Sequence, residues 1–238
     1  KPVIDGNAVQ LCDKKIVFGR NGLFASIIDK NGEMLADPAR IDIVANGKRV
    51  ILKGGKSKLI SDGNTVCVES RQTFNGGYLY TRLLLDYDGF SVVKFRIVGL
   101  KPSAINRVSV CIPLKKENAK FVHRTLVQEI RELTGFGWES CAGPVWLGCN
   151  DKGIAFSYDT DVFLSTNRRS QIQVLENKSS TDLIINLVDK TGELVDAGHI
   201  FRFFLQPTPT KPVSLRKEGS FYDFVWEQYS DYEGYPDT

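Results

Sequence analysis

The chain has 238 residues, 42% of them hydrophobic and 25% charged. That is an ordinary globular mix able to bury a sizeable core, and sandwiches or barrels of this length often form one domain. Its 31 basic and 28 acidic residues leave a net charge of +3, too even for the clustered phosphate-neutralising face of a nucleic-acid binder; no apolar run approaches the ~18 residues of a membrane span.

The sequence opens at Lys1 and its one Met is Met34, which implies a trimmed start, by removal of a leader or by choice of ends. Turn signals then recur at Asn21-Gly22, Asn31-Gly32, Asn46-Gly47, Asp62-Gly63, Asn75-Gly76-Gly77 and Asp88-Gly89. Asn-Gly and Asp-Gly tolerate the positive φ of tight hairpin turns, and their spacing of about 10 to 16 residues suits antiparallel strands. Lys48, Arg49, Lys53, Lys56 and Lys58 form the densest basic stretch. A solvated hairpin is the default for it, and a surface for anionic polysaccharide is the sharper alternative. Gly54-Gly55-Lys56-Ser57 lacks the first glycine of a phosphate-binding loop and sits in a hairpin context.

Between these turns the residues alternate as strands do. In Ser91–Gly99, Val93, Phe95 and Ile97 share one face while Lys94 and Arg96 share the other. The run 183–188 is apolar on both faces, as is 200–205 except for Arg202. Roughly fourteen to sixteen strands fill the chain, enough for two large stacked sheets. Two short helices are expected. One starts at the capping-box pattern Thr125-x-x-Gln128 with Leu126, Ile130 and Leu133 on one stripe and stops at Gly135; the other starts at Ser220-x-x-Asp223. The fold class is therefore all-β, a large antiparallel β-sandwich with one or two short helices.

The five cysteines, Cys12, Cys67, Cys111, Cys141 and Cys149, form no C-x-x-C pair, and neither His123 nor His199 has ligand spacing to them, so no metal site is expected. Cys67 and Cys111 lie in apolar runs and read as buried, reduced thiols. The odd count argues against a full disulfide framework and leaves one Cys141–Cys149 bridge open. No Gly-x-Ser-x-Gly is present, and both histidines read as strand-end or packed residues. No catalytic residue and no cofactor are assigned. Paired carboxylates could hydrolyse glycosides only at defined separations, and most acids here sit in turns.

Aromatic rings beside polar groups are the usual way to hold sugars, an indole stacking on the C–H face of a pyranose. The richest such segment is 135–148, where Trp138 with Glu139 is the best carbohydrate-binding candidate and Trp146, before Leu147, looks like core. Core packing is the commoner fate of any Trp in a sandwich. Residues 206–212, Gln-Pro-Thr-Pro-Thr-Lys-Pro, must be extended and read as a domain edge. Beyond it, residues 218–237 hold six acids, seven aromatics and no Lys or Arg. The expected organisation is a β-sandwich over 1–212 and an acidic aromatic segment over 213–238 that serves as linker or docking element.

Three segments carry a resemblance. Gly143-Pro-Val-Trp-Leu-Gly-Cys-Asn-Asp-Lys-Gly-Ile-Ala-Phe156, the strand Leu183-Ile-Ile-Asn-Leu-Val-Asp189 and the exit Phe204–Pro212 resemble, in that order, the N-terminal β-sandwich of bacterial glycoside hydrolase-like proteins related to glycoside hydrolase family 123. The opening Val17–Ile27 with Asn31–Leu35 is similar to the first hairpins of galactose mutarotase-like supersandwich domains. Cys149 before Asn150, and Pro207 in place of the usual Ala, depart from the pattern. The family's catalytic carboxylates lie on a barrel with no counterpart here, so none is carried over.

The resemblance implies a non-catalytic accessory domain of a carbohydrate-active protein, whose partners are a carbohydrate or a catalytic barrel absent from this chain, with no nucleic acid and no membrane span. It also implies export to a bacterial periplasm or cell surface. Two alternatives stand beside it. One is a purely structural module that braces a barrel or partner through the aromatic tail. The other is a mutarotase-like sugar epimerase in which His123 or His199 meets an acid such as Glu129.

Overall fold

The computed structural model describes residues 1–124, 129–133, 138–140, 144–158, 163–165, 167 and 170–209. Among them the chain forms twenty strands in three antiparallel sheets. The first five, β1 (Val3–Asp5), β2 (Ala8–Gln10), β3 (Lys14–Phe18), β4 (Phe24–Asp29) and β5 (Gly32–Glu33), run as a meander in a small sheet of their own. The two large sheets are then built by alternation. β6 (Arg40–Ala45) and β7 (Lys48–Arg49) begin a six-stranded sheet; β8 (Lys58–Asp62), β9 (Thr65–Phe74), β10 (Gly77–Leu85) and β11 (Ser91–Val98) make one side of a nine-stranded sheet.

β12 (Ile105–Leu114) returns beside β6. β13 (Phe121–Arg124) and β14 (Glu129–Glu132) form the far end of the nine-stranded sheet, and β15 (Trp138–Ser140) the far edge of the six-stranded one. β16 (Val145–Gly148) and β17 (Gly153–Tyr158) continue the former; β18 (Ile172–Glu176) and β19 (Thr181–Val188) complete the latter. β20 (Phe201–Thr208) then inserts between β11 and β17 and joins the two halves of the nine-stranded sheet.

The alternation read from the sequence sets the register. Val93, Phe95 and Ile97 face inward while Lys94 and Arg96 are exposed. On β20, Phe201, Phe203 and Leu205 face the same core, and Phe95 stacks on Phe201 with centroids 4.7 Å apart. Across from them the six-stranded sheet contributes Val110, Ile112, Leu183 and Ile185, all at 0% exposure. Ile16, Phe18 and Phe24 of the small sheet join the same apolar cluster. β19 is buried along nearly its whole length, as its two-sided apolar pattern implies.

The tight turns fall at the Asn-Gly and Asp-Gly positions. Between β6 and β7, Asn46 and Gly47 both take positive φ, 50° and 72°, the geometry of a two-residue hairpin loop that Asn-Gly provides without steric strain.

Three expectations change. Two stacked sheets are joined by a third, because the first 33 residues pair only among themselves. The helix expected from Thr125 does not hold over Glu129–Glu132, which instead pairs with β13 in the register Phe121↔Glu132 to Arg124↔Glu129; residues 125–128 lie outside the described ones. A helix this short is marginal on propensity alone, and β13 offers an open ladder four residues upstream.

Trp146 is not core. Leu147 and Val145 take the inward positions at 0% and 1% exposure, and the half-buried indole lies over Gly148 and Gly153 on the opposite face. Its Nε1 donates to Thr208 Oγ1 at 2.9 Å, the partner that a Trp N–H needs. A Cβ on Gly148 would stand 2.2 Å from the Trp146 ring, so glycine is required there.

The Pro-rich exit is extended through Thr208, as expected, and pairs within the sheet: Pro207 pairs with Ile154 two positions past Leu205, the last β20 residue paired with β11. Its missing N–H therefore breaks no ladder on that side. The helix from Ser220, the acidic aromatic segment and the boundary at 212 lie outside the described residues.

Candidate functional site

Two surfaces collect polar groups around the six-stranded sheet. The first is a cleft of about 160 Å³ lined by Lys116, Lys120, Glu132, Leu133, Val174 and Glu176, with Ala119 and Thr181. Lys116 comes from a 3-10 turn, Lys116–Asn118, that follows β12; Glu132 ends β14; Val174 and Glu176 alternate on β18. Lys116 Nζ donates to Glu176 Oε1 at 2.8 Å, with both side chains about two-fifths exposed. Val174, 1% exposed, gives this polar rim an apolar floor. A lysine donates and an ion-paired carboxylate accepts, so the cleft can bond hydroxyls in both senses. It is small beside the ~300–1,000 Å³ clefts that engulf a whole ligand, and suits one ring or a chain end.

The second is the outer face of the same sheet. Arg49 Nη2 meets Asp42 Oδ1 at 2.5 Å, Arg40 Nε meets Asp42 Oδ2 at 3.0 Å, and Arg40 Nη2 lies 3.8 Å from Asp182 Oδ2. Ser180 Oγ donates to Asp182 Oδ1 at 2.7 Å. Cys111 sits in the middle at 2% exposure, its Sγ 3.5 Å from Asp182 Oδ2. Burial first, and then the Asp182 charge, push its thiol up to about 12. Cys111 is therefore expected to resist alkylation at pH 8 while the exposed Cys12 reacts, as peptide mass spectrometry after brief iodoacetamide treatment would show. Labelling of Cys111 at the rate of Cys12 would contradict this placement.

The two residues singled out from the sequence occupy different rows of this sheet. Trp138 pairs with Val174, whose row continues through Leu183 to Ile112; Glu139 pairs with Gln173, whose row continues through Ile184 and Cys111 to Arg40. Trp138 thus adjoins the cleft row and Glu139 the outer polar row. Their side chains, like that of Glu129, lie outside what the structure describes.

The histidines do not come together. The row of His123 passes through Trp146 and Ala155 to Gln206, three strands across and seven residues from His199, a separation on the order of 20 Å. His123 pairs with Ile130, whereas Glu129 pairs with Arg124. Burial lowers the His123 pKa, and His199 packs edge-on against Phe201 at 4.6 Å. Among the described residues, no group of three or more His, Cys, Asp or Glu could hold a metal, no helix is long and apolar enough to cross a membrane, and Cys12, Cys67, Cys111 and Cys149 are free thiols. Cys67 is only half-buried, because Val66 and Val68 take the core positions and turn it outward. The basic stretch 48–58 also splits: Lys48 and Arg49 lie on the six-stranded sheet and Lys58 on the nine-stranded one.

Fold and surfaces together define a large antiparallel β-sandwich with a small charged cleft. The model of the glycoside hydrolase 123 third domain matches residues 3–176, and the chain belongs to that family. It is, at that level, a carbohydrate-related accessory domain. No curated protein matches it.

Solved structures are similar to the chain at low identity. Heparan sulfate lyase HepC from Pedobacter heparinus is 12% identical with a TM-score of 0.52, over 84% of this chain and 34% of that one. The Slr1438 protein from Synechocystis sp. PCC 6803 is 10% identical with a TM-score of 0.47, over 87% and 95%. A protein described as a candidate aldose 1-epimerase from Escherichia coli K12 is 8% identical with a TM-score of 0.46, over 87% and 97%.

Proposed function

We propose that this domain contributes a glycan contact, without covalent chemistry, to a protein whose catalytic domain is a separate unit. The observation that carries the reading is the cleft: an apolar floor at Val174, the Lys116–Glu176 ion pair on its rim, and the strand of Trp138 paired to that floor. Trp138 supplies the stacking ring, and Lys116, Glu132 and Glu176 bond the hydroxyls. Such a domain would meet its polymer outside the cytoplasm, in a periplasm or at a cell surface.

Calorimetric titration with neutral oligosaccharides tests this. Wild type is expected to bind, and Trp138→Ala and Glu176→Gln each to weaken binding at least tenfold, about 1.4 kcal/mol. No heat across the panel would sink the glycan role.

A bracing role is favoured by one other observation. The Lys14 side chain, 1% exposed, donates to the Pro209 carbonyl at 2.5 Å and lies 3.0 Å from Asp13, so the end of β20 is tied to β3.

A further inference from the structure

The outer face of the nine-stranded sheet carries a charge pattern that no single stretch of sequence contains. Cross-strand register aligns Lys58, Glu69, Arg82, Lys94 and Arg202 in one row over β8, β9, β10, β11 and β20. The next row is Arg71, Tyr80 and Arg96. Among the described residues, these two rows thus hold six cations and one carboxylate, in a chain whose net charge is +3. Arg82 stands directly between Glu69 and Lys94, and Lys94 directly between Arg82 and Arg202, so three like charges are adjacent across neighbouring strands. Like charges so placed repel; Glu69 lies 3.8 Å from Arg82 and accepts from the Tyr80 hydroxyl at 2.9 Å. Lys58, Arg71, Arg82, Lys94 and Arg96 are all exposed.

We propose that this face binds an acidic polysaccharide laid across the strands, its carboxylate or sulfate groups on the exposed cations Arg82, Lys94 and Arg96. Strands lie about 4.8 Å apart, comparable to the length of one pyranose in a chain, so successive strands meet successive sugar units. A guanidinium takes a carboxylate or sulfate in bidentate fashion, and an extended polyanion relieves the repulsion between Arg82 and Lys94. The aromatic rings here already carry cations: Arg71 lies 3.9 Å from the centroid of Tyr78 and Arg96 5.7 Å from that of Tyr80. They order the guanidinium groups and offer no open ring of the kind on which bases stack. The choice of polysaccharide among polyanions rests on the carbohydrate reading given above; the face itself is separate from the cleft.

Affinity electrophoresis of the full chain through gels containing dextran sulfate, polygalacturonate, neutral dextran or no polymer tests it, with a short DNA duplex as competitor. Retardation by one or both acidic polymers is expected, and which of them retards the protein distinguishes sulfate from carboxylate. It should weaken at least tenfold in the double variant Arg82→Glu, Lys94→Glu and fall steeply with added salt. Both sites are exposed, so thermal melting within a few degrees of wild type confirms that the variant folds; Lys94→Gln is the milder second variant, expected to lose severalfold. Neutral-oligosaccharide binding by the Arg82→Glu, Lys94→Glu variant should match wild type, which separates failure of this face from failure of the cleft. The proposal is overturned if neither acidic polymer retards wild type, if folded charge-reversal protein binds as before, or if the duplex competes more strongly than either polysaccharide.

Discussion

Replacing Lys152 by Met is expected to destabilise the domain by about 3–5 kcal/mol. Lys152 Nζ is held at 2.8 Å from Asp29 Oδ1 and at 2.8 Å from the Gly32 carbonyl, with side-chain exposures of 3% for the lysine and 8% for the aspartate. The lysine belongs to the loop before β17 and the aspartate ends β4, so this pair stitches the small sheet to the large one. Removing the cation leaves a buried carboxylate without its counter-charge, and the Asn31 backbone N–H at 2.7 Å compensates only part of that.

Taking two charges out of water offsets much of what their attraction returns. The double replacement Lys152→Met, Asp29→Leu should therefore recover most of the loss. Urea unfolding of both proteins at neutral pH, followed by tryptophan fluorescence, reads the difference. A single variant within about 1 kcal/mol of wild type would mean that the pair is not buried in solution.

Nothing in the sequence pointed to that pair, and the reason is physical. Asp29 and Lys152 are 123 positions apart, and a lysine just before Gly153 in a turn reads as solvated unless the facing sheet is known. What was legible came from local rules. The Asn-Gly turns fixed the hairpins because two positive φ angles leave few residue choices, and the alternation at 91–99 fixed which side of β11 faces the core. The helix read at Thr125 failed where a hairpin partner outweighed a weak helical stripe, and Trp146 was misplaced because neighbouring Leu147 says nothing about a residue on the other face.

The charged surfaces divide in the same way. The basic run 48–58 was conspicuous in sequence yet is split between two sheets. Arg71, Arg82, Lys94, Arg96 and Arg202 are scattered in sequence yet share one face, since only cross-strand register brings them together. Trp138 and Glu139, adjacent in sequence, stand in different rows, and so are expected to answer to different ligands if both touch any.

Phe95→Ala is expected to lower stability by about 3–5 kcal/mol, the usual range for emptying a large buried aromatic site. Phe95 is 1% exposed, stacks on Phe201 with planes 21° apart, and meets Phe203 edge-on at 6.4 Å; such ring pairs add roughly 0.5–1.5 kcal/mol beyond the area they bury. At roughly 2–4 °C per kcal/mol for a domain of this size, the melting temperature should fall by about 6–20 °C. Phe95→Leu refills most of the space and should lose far less, on the order of 1–1.5 kcal/mol.

The position also separates folding from binding, because Lys94 and Arg96 flank it on β11 and face the other way. Phe95→Leu should therefore keep wild-type retardation by acidic polysaccharide while melting earlier. Loss of that binding in a protein that is still fully folded would show that the basic rows depend on strand geometry more finely than charge placement requires. A Phe95→Ala protein that melts with wild type would place Phe95 outside the core that holds β11 against β20.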